Sequence, residues 1–205
     1  MDNVIDVIVL IFLFALYGFI HSILASEKVK IFFCQNFGKL IAFYRLGFNV
    51  FAVVGLYLIW DLAPHPSLQI YKLLPPYDYL VLIPQFLALV GIFWCFKYVC
   101  FKEFIGLSQI DRYLKGDYSD NELDENYTLR IEGPYKYSRH PIYFFSIIIL
   151  LFRAEMNLAY LTMFISFTAY FYLGSYYEEK KLVRLFGDEY RNYQKKISRI
   201  IPFRL

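Results

Sequence analysis

Residues 133–143 read Gly133-Pro134-Tyr135-Lys136-Tyr137-Ser138-Arg139-His140-Pro141-Ile142-Tyr143, and FFSIIILLF follows as residues 144–152. A polar, aromatic and charged cluster thus runs straight into an apolar run, Ile142 to Phe152. Ionisable groups at a bilayer edge are costly unless they meet water, lipid headgroups or a ligand. The next apolar run ends in Tyr176, Tyr177, Glu178 and Glu179. Two charged clusters therefore bracket one apolar hairpin, and the return crossing brings them to the same side of a membrane. A site is expected there.

The rest of the chain carries the same signal. Of its 205 residues 59% are hydrophobic and 21% aromatic, whereas a soluble domain has about 45–50% apolar residues. The excess falls in five runs, roughly Val4–Leu24, Leu40–Trp60, Tyr79–Val99, Ile142–Phe152 and Leu158–Tyr177. A span needs about 20 apolar residues. Four runs meet that; the fourth in order is short, and reads as a half-span or as a tilted helix that recruits part of the Arg139-His140-Pro141 cluster. The expected fold is an all-α integral membrane protein with about five transmembrane helices and a cytoplasm-facing cofactor pocket. One domain covers 1–205, with three membrane helices in 1–100 and a loop, a membrane hairpin and an interfacial helix in 101–205.

Lysine and arginine placement sets the orientation. Lys28, Lys30 and Lys39 follow the first run, and Lys102, Arg112, Lys115, Arg130, Lys136 and Arg139 follow the third. The tail carries eight more between Lys180 and Arg204, while the opposite side has only Lys72 and Arg153. The N-terminus is expected outside, with the C-terminus and the site cytoplasmic. The first basic residue is Lys28, after Asp2 and Asp6, so no signal-peptide n-region is visible. Leu182, Phe186, Tyr190, Tyr193 and Ile197 fall at helical spacing, which predicts an amphipathic interfacial helix. Gly187 is expected to kink it, and Ile201-Pro202-Phe203 to end it. The polar loop 101–132 is expected to flank the site; its Asn126-Tyr127-Thr128 sequon has no use on a cytoplasmic face.

Composition also narrows the chemistry. A net charge of +3 does not suggest nucleic acid. Cys34, Cys95 and Cys100 form no CxxC pair; the last two read as helix packing residues. The chain has no GxG, so neither a dinucleotide fingerprint nor a P-loop is present. His21, His65 and His140 are too dispersed for a metal motif. What remains is a pocket at the membrane face, built from Tyr127, Thr128, Leu129, Arg130, Tyr135, Arg139, His140, Pro141, Tyr143 and Glu178. Tyrosine faces attract cations, and a carboxylate accepts hydrogen bonds from hydroxyls or an ammonium. Such a lining suits S-adenosyl-L-methionine, which is both cationic and aromatic.

The pattern GPYxYxRHPxY, followed by EExxLxxxFGxEYxxYxxxxxRxIP from Glu178 to Pro202, resembles the isoprenylcysteine carboxyl methyltransferase superfamily. The match covers about the last 80 residues. His21-Ser22-Ile-Leu-Ala25, Arg45 with Asn49, and Phe104-Ile-Gly106-Leu107-Ser-Gln109 are similar to its methanethiol S-methyltransferase branch. The resemblance implies cofactor contacts at Tyr127 to Arg130, at Tyr135, His140, Pro141 and Tyr143, and an acidic contact at Glu178. Glu179 is expected to matter less, since it points about 100° away on a helix. The carboxyl methyltransferases place a carboxylate-reading arginine four residues before this glutamate. Here Gly174 stands there, which favours a neutral or thiol acceptor.

His21 and Arg45 are two further intramembrane oddities. Each reads as an anchor or a helix–helix contact, or as a catalytic group facing the methyl acceptor. Arg45 and Asn49 are one turn apart and share a face. The expected enzyme transfers a methyl group from S-adenosylmethionine to a small or lipophilic thiol within the membrane. Carboxyl methylation of isoprenylcysteine, and phospholipid methylation, are the nearest alternatives. An NADPH-dependent membrane reductase is another, because sterol reductases carry a similar motif; they read RHPNY, and Ile142 replaces that Asn. A non-enzymatic membrane accessory protein is the last.

Overall fold

Helix α1 runs over Asp2–Ala25 without an interior break, and helices make up most of the chain. The structure is a computed structural model that describes residues 2–119, 123 and 128–203. Ser26 caps α2, Glu27–Phe37, its hydroxyl accepting from the Val29 amide. A 3-10 turn over Gly38–Phe43 leads into α3, Tyr44–Leu62. Strand β1 is Gln69–Lys72, and α4, Tyr77–Leu80, leads into α5, Leu82–Phe96. Two short helices come next, α6 over Phe101–Ile105 and α7 over Leu107–Lys115. A 3-10 turn at Gly133–Lys136 precedes α8, Pro141–Leu151. Strand β2, Glu155–Asn157, leads into α9, Leu158–Lys196.

Four stretches are long and apolar enough to cross a bilayer: Asn3–Ala25, Glu27–Leu62, Tyr77–Phe96 and Leu158–Lys196. Helix α8 is apolar but has only 11 residues, a length of roughly 16 Å against a hydrocarbon core of about 30 Å. Side chains on these helices stay exposed where a soluble protein would bury them, Val53 by 71% and Phe93 by 69%. That surface needs lipid to cover it, and the chain is an all-α membrane protein.

The chain divides into two compact units. One comprises Met1–Phe12, Pro64–Tyr98 and Leu129–Leu205, the other Leu13–Ala63 and Val99–Thr128. In the first unit α5 packs on α8 and α8 on α9. Gly91 makes the α5–α8 approach possible, because a Cβ there would enter the Phe145 ring. Gln85 Nε2 adds a polar tie, donating to the Ile149 carbonyl at 3.1 Å. Strands β1 and β2 pair antiparallel, with Lys72 opposite Glu155. In the second unit Ile41, Ala42 and Tyr118 form a buried core against Phe33, Cys34, Tyr44 and Tyr113.

Several expectations need correction. Residues 27–37 are helical rather than a loop, because Ser26 and Glu27 supply a cap and first-turn charge. The two strands were not foreseen; four and three residues are too few to show alternation. Cys95 is buried in α5 as expected, but Cys100 is exposed just before α6. The last helix does break at Gly187 (φ 56, ψ −128), yet it ends at Lys196, before Ile197 and well before Pro202. Beyond the break Tyr190 and Tyr193 are buried within the protein, so these two rings pack inward rather than onto lipid.

Candidate active site

In the first unit the site begins at Gly133. Its φ is +58, and a Cβ would run into the Tyr98 ring, so no other residue fits without strain. Pro134 is buried behind it. The Tyr135 carbonyl accepts from the Tyr193 hydroxyl, which ties the turn to the far end of α9. Burial pushes the Tyr135 phenol up to about 12, with the Arg130 guanidinium opposing and the Glu178 charge adding. The Arg130 and Glu178 charges therefore both act on Tyr135.

Residues 138–140 lie alongside the tail. Ser138 and Ser198 form a parallel bridge. The Arg139 amide donates to the Ser198 carbonyl at 3.0 Å and the His140 amide to the Arg199 carbonyl at 2.9 Å. The Ser138 hydroxyl closes the clamp, donating to the Ile200 carbonyl at 2.7 Å. Pro141 then opens α8 at a position where a missing N–H costs nothing.

Arg139 is held on four sides. Its Nε donates to Glu179 Oε1 at 2.6 Å and its Nη2 to Oε2 at 3.0 Å. Its Nη1 donates to the Gln194 carbonyl at 3.0 Å and also to the Ile197 carbonyl. The two side chains of this pair are only 9% and 6% exposed. Gln194 Nε2 adds a bond to Glu179 Oε2 at 2.8 Å. His140 sits between the two glutamates, Nδ1 3.5 Å from Glu178 Oε2 and Nε2 3.3 Å from Glu179 Oε1. The Tyr143 ring stacks on His140 at 5.3 Å and on Phe171 at 5.0 Å. Its hydroxyl donates to Glu178 Oε2 at 3.1 Å.

The bracketing clusters thus meet, as the hairpin reading expected. Tyr135, Arg139, His140, Pro141, Tyr143 and Glu178 converge, with Arg130 near and Leu129 half-buried. Thr128 is exposed and belongs to the second unit; Tyr127 lies outside the described residues, as does Asn126 of the sequon. One assignment shifts. The Arg139 guanidinium faces Glu179 and two carbonyls, not open space. Sequence reasoning missed Glu179. The signal was there: adjacent glutamates diverge by about 100° on a helix, and an arginine and a histidine at a bilayer edge both need acidic partners.

The second unit gathers the upstream polar residues. Arg45 Nε and Asn49 Nδ2 both donate to the Phe104 carbonyl at 3.0 Å, which confirms their shared face. Gly106 (φ +98) comes so close to the Leu46 backbone that a Cβ would collide with it. His21 lies against Phe48, ring centroids 4.6 Å apart, and the Arg45 guanidinium is 6.0 Å from the same ring. Arg112 and Glu103 pair through two 3.0 Å bonds.

Sequence comparison gives this geometry a context. Over 202 residues the chain is 31% identical to methanethiol S-methyltransferase 1 of Bradyrhizobium diazoefficiens, covering 97% of this chain and 67% of that protein. The chain belongs to the methanethiol S-methyltransferase family. A second family member, from Crocosphaera subtropica, is 26% identical over 200 residues, 93% of this chain and 72% of its own. A third, from Pseudomonas deceptionensis, is 38% identical over 68 residues, 33% of this chain and 26% of its own. The methanethiol S-methyltransferases fall within the isoprenylcysteine carboxyl methyltransferase superfamily, so this chain is a membrane methyltransferase. No protein-family model and no solved structure matches it.

Proposed function

We propose that the protein methylates a small apolar thiol, methanethiol or a close analogue, with S-adenosylmethionine as donor. The observation that carries the reading is the stacked series His140, Tyr143, Phe171, whose middle ring is hydrogen-bonded to a half-exposed Glu178. This donor set fits the cofactor. The aromatic faces suit adenine or a sulfonium, and Glu178 keeps acceptor capacity for hydroxyls beyond its bond to Tyr143. Tyr135, His140, Pro141, Tyr143 and Glu178, with Leu129 and Arg130 at the margin, would hold it. Arg139 acts one layer behind, fixing the segment that presents His140.

When bound, S-adenosylmethionine supplies a methyl carbon open to in-line displacement by a thiolate. A thiol must lose its proton first, because the thiolate is the nucleophile. His21 takes that proton, and the Arg45 charge favours the anion. Phe48 orients His21, while the Arg45 and Asn49 bonds to Phe104 hold the 104–107 turn in place. Gly174 reinforces the choice of acceptor. It lies one helical turn before Glu178 and carries no cation, and a buried carboxylate without one is strongly disfavoured. Methyl transfer from labelled cofactor to a panel of thiols and prenylcysteines in membranes tests this. Prenylcysteine methylation with inert thiols would overturn the acceptor.

Glu178→Ala should weaken S-adenosylhomocysteine binding by about 1.5–3 kcal/mol, the worth of a charged hydrogen bond, and leave the unfolding midpoint near wild type. Calorimetric titration in detergent reads the first and thermal unfolding the second; unchanged affinity would remove Glu178 from the cofactor site. The orientation follows the lysine and arginine asymmetry, with the site cytoplasmic. A cysteine placed at Lys136 should react with an impermeant reagent only from the cytoplasmic side of sealed vesicles. External labelling would reverse the topology.

A further inference from the structure

A cavity of about 240 Å³ opens between α9 and the tail, on the far side of the Arg139–Glu179 pair, lined by Tyr176, Glu179, Lys180, Val183, Gln194 and Arg199. Two cations converge on one ring there. Lys180 Nζ is 4.3 Å from the Tyr176 centroid, and the Arg199 guanidinium is 6.0 Å from it. Lys180 also lies 5.6 Å from the Tyr177 ring. The carboxylate in the wall does not balance them. Glu179 already accepts two bonds from Arg139 and one from Gln194, and Arg199 Nε stands 3.7 Å away. Lys180 makes no ion pair among the described residues. Because Arg139 already neutralises Glu179, the charges of Lys180 and Arg199 are left in excess at the cavity.

The place in the fold points to the occupant. Tyr176 and Tyr177 are exposed where the apolar part of α9 gives way to its charged part. Exposed tyrosines and basic side chains at such a junction mark headgroup depth. We propose that this cavity binds a phosphate-bearing anion, the headgroup of an anionic phospholipid. Arg199 stands at ion-pair distance from Glu179, whose oxygens already accept from Arg139 and Gln194, so the phosphate oxygens would take the remaining donors of Lys180 and Arg199.

The test uses the full chain in nanodiscs of phosphatidylcholine with or without phosphatidylglycerol. The readouts are native mass spectrometry of retained lipid and thermal unfolding. Phosphatidylglycerol should be retained preferentially and should raise the unfolding temperature. Lys180→Gln and Arg199→Gln should each cut that retention roughly fivefold, and together about 30-fold, as expected for surface cations near anionic lipid. Circular dichroism checks that the variants fold. Stabilisation by millimolar inorganic phosphate in pure phosphatidylcholine, lost in the same variants, would support the site with free phosphate as its source. Equal retention of both lipids with no phosphate effect overturns the proposal. So does phosphatidylglycerol retention untouched by the double variant. No readout involves methyl transfer, so this inference fails or stands apart from the proposed reaction.

Discussion

Glu179→Ala is expected to destabilise the protein by about 3–5 kcal/mol, the cost of removing one partner from a buried ion pair. The reason is what it leaves behind. The Arg139 guanidinium would stay enclosed at 9% exposure with two of its donors stripped of acceptors, and Gln194 would lose its bond as well. Since Arg139 also ties the carbonyls of Gln194 and Ile197, the clamp on residues 138–140 should loosen with it. Thermal or denaturant unfolding in detergent checks the magnitude. Glu179→Gln keeps the shape but not the charge and should fall between alanine and wild type. A Glu179→Ala protein with an unchanged midpoint would show that the pair carries no structural weight.

His21→Ala should lower kcat with a thiol acceptor by about 10²–10⁴ at neutral pH, the range for a lost general base. Cofactor affinity should hold, because none of the cofactor contacts changes. The pH profile separates chemistry from packing. Without a base, the reactive species is the thiolate already in solution. That fraction rises about tenfold per pH unit below the thiol's pKa. The deficit of the variant should therefore shrink as pH rises toward that pKa. A small deficit that does not vary with pH would make His21 a packing residue beside Phe48.

Much of this arrangement was legible in residue order. The two apolar runs after residue 141 dictate a hairpin, and a hairpin returns Glu178 to the side of His140. Arg45 and Asn49, four residues apart, had to share a face, and both reach the Phe104 carbonyl. The division of labour between Glu178 and Glu179 was not legible. Helical geometry says that the two diverge, but packing against 138–140 and the tail decides which one is buried. Helix α2 was hidden because its lysines interrupt the apolar pattern, although Lys30 is itself buried. The end of α9 was misplaced for a related reason. Residues 198–200 look like a helix terminus in isolation, and only their pairing with Ser138 gives their backbone a better partner.

That pairing joins positions 61 and 62 residues apart, which has a consequence for synthesis. The ribosome delivers the 138–140 segment long before it delivers 198–200. Until the later stretch emerges, the amides of Arg139 and His140 and the hydroxyl of Ser138 lack their native carbonyls, and the Arg139 side chain lacks the anchor carbonyls of Gln194 and Ile197. The nascent 141–177 hairpin thus waits, with its charged corner incomplete, for residues 194–200 to lock it.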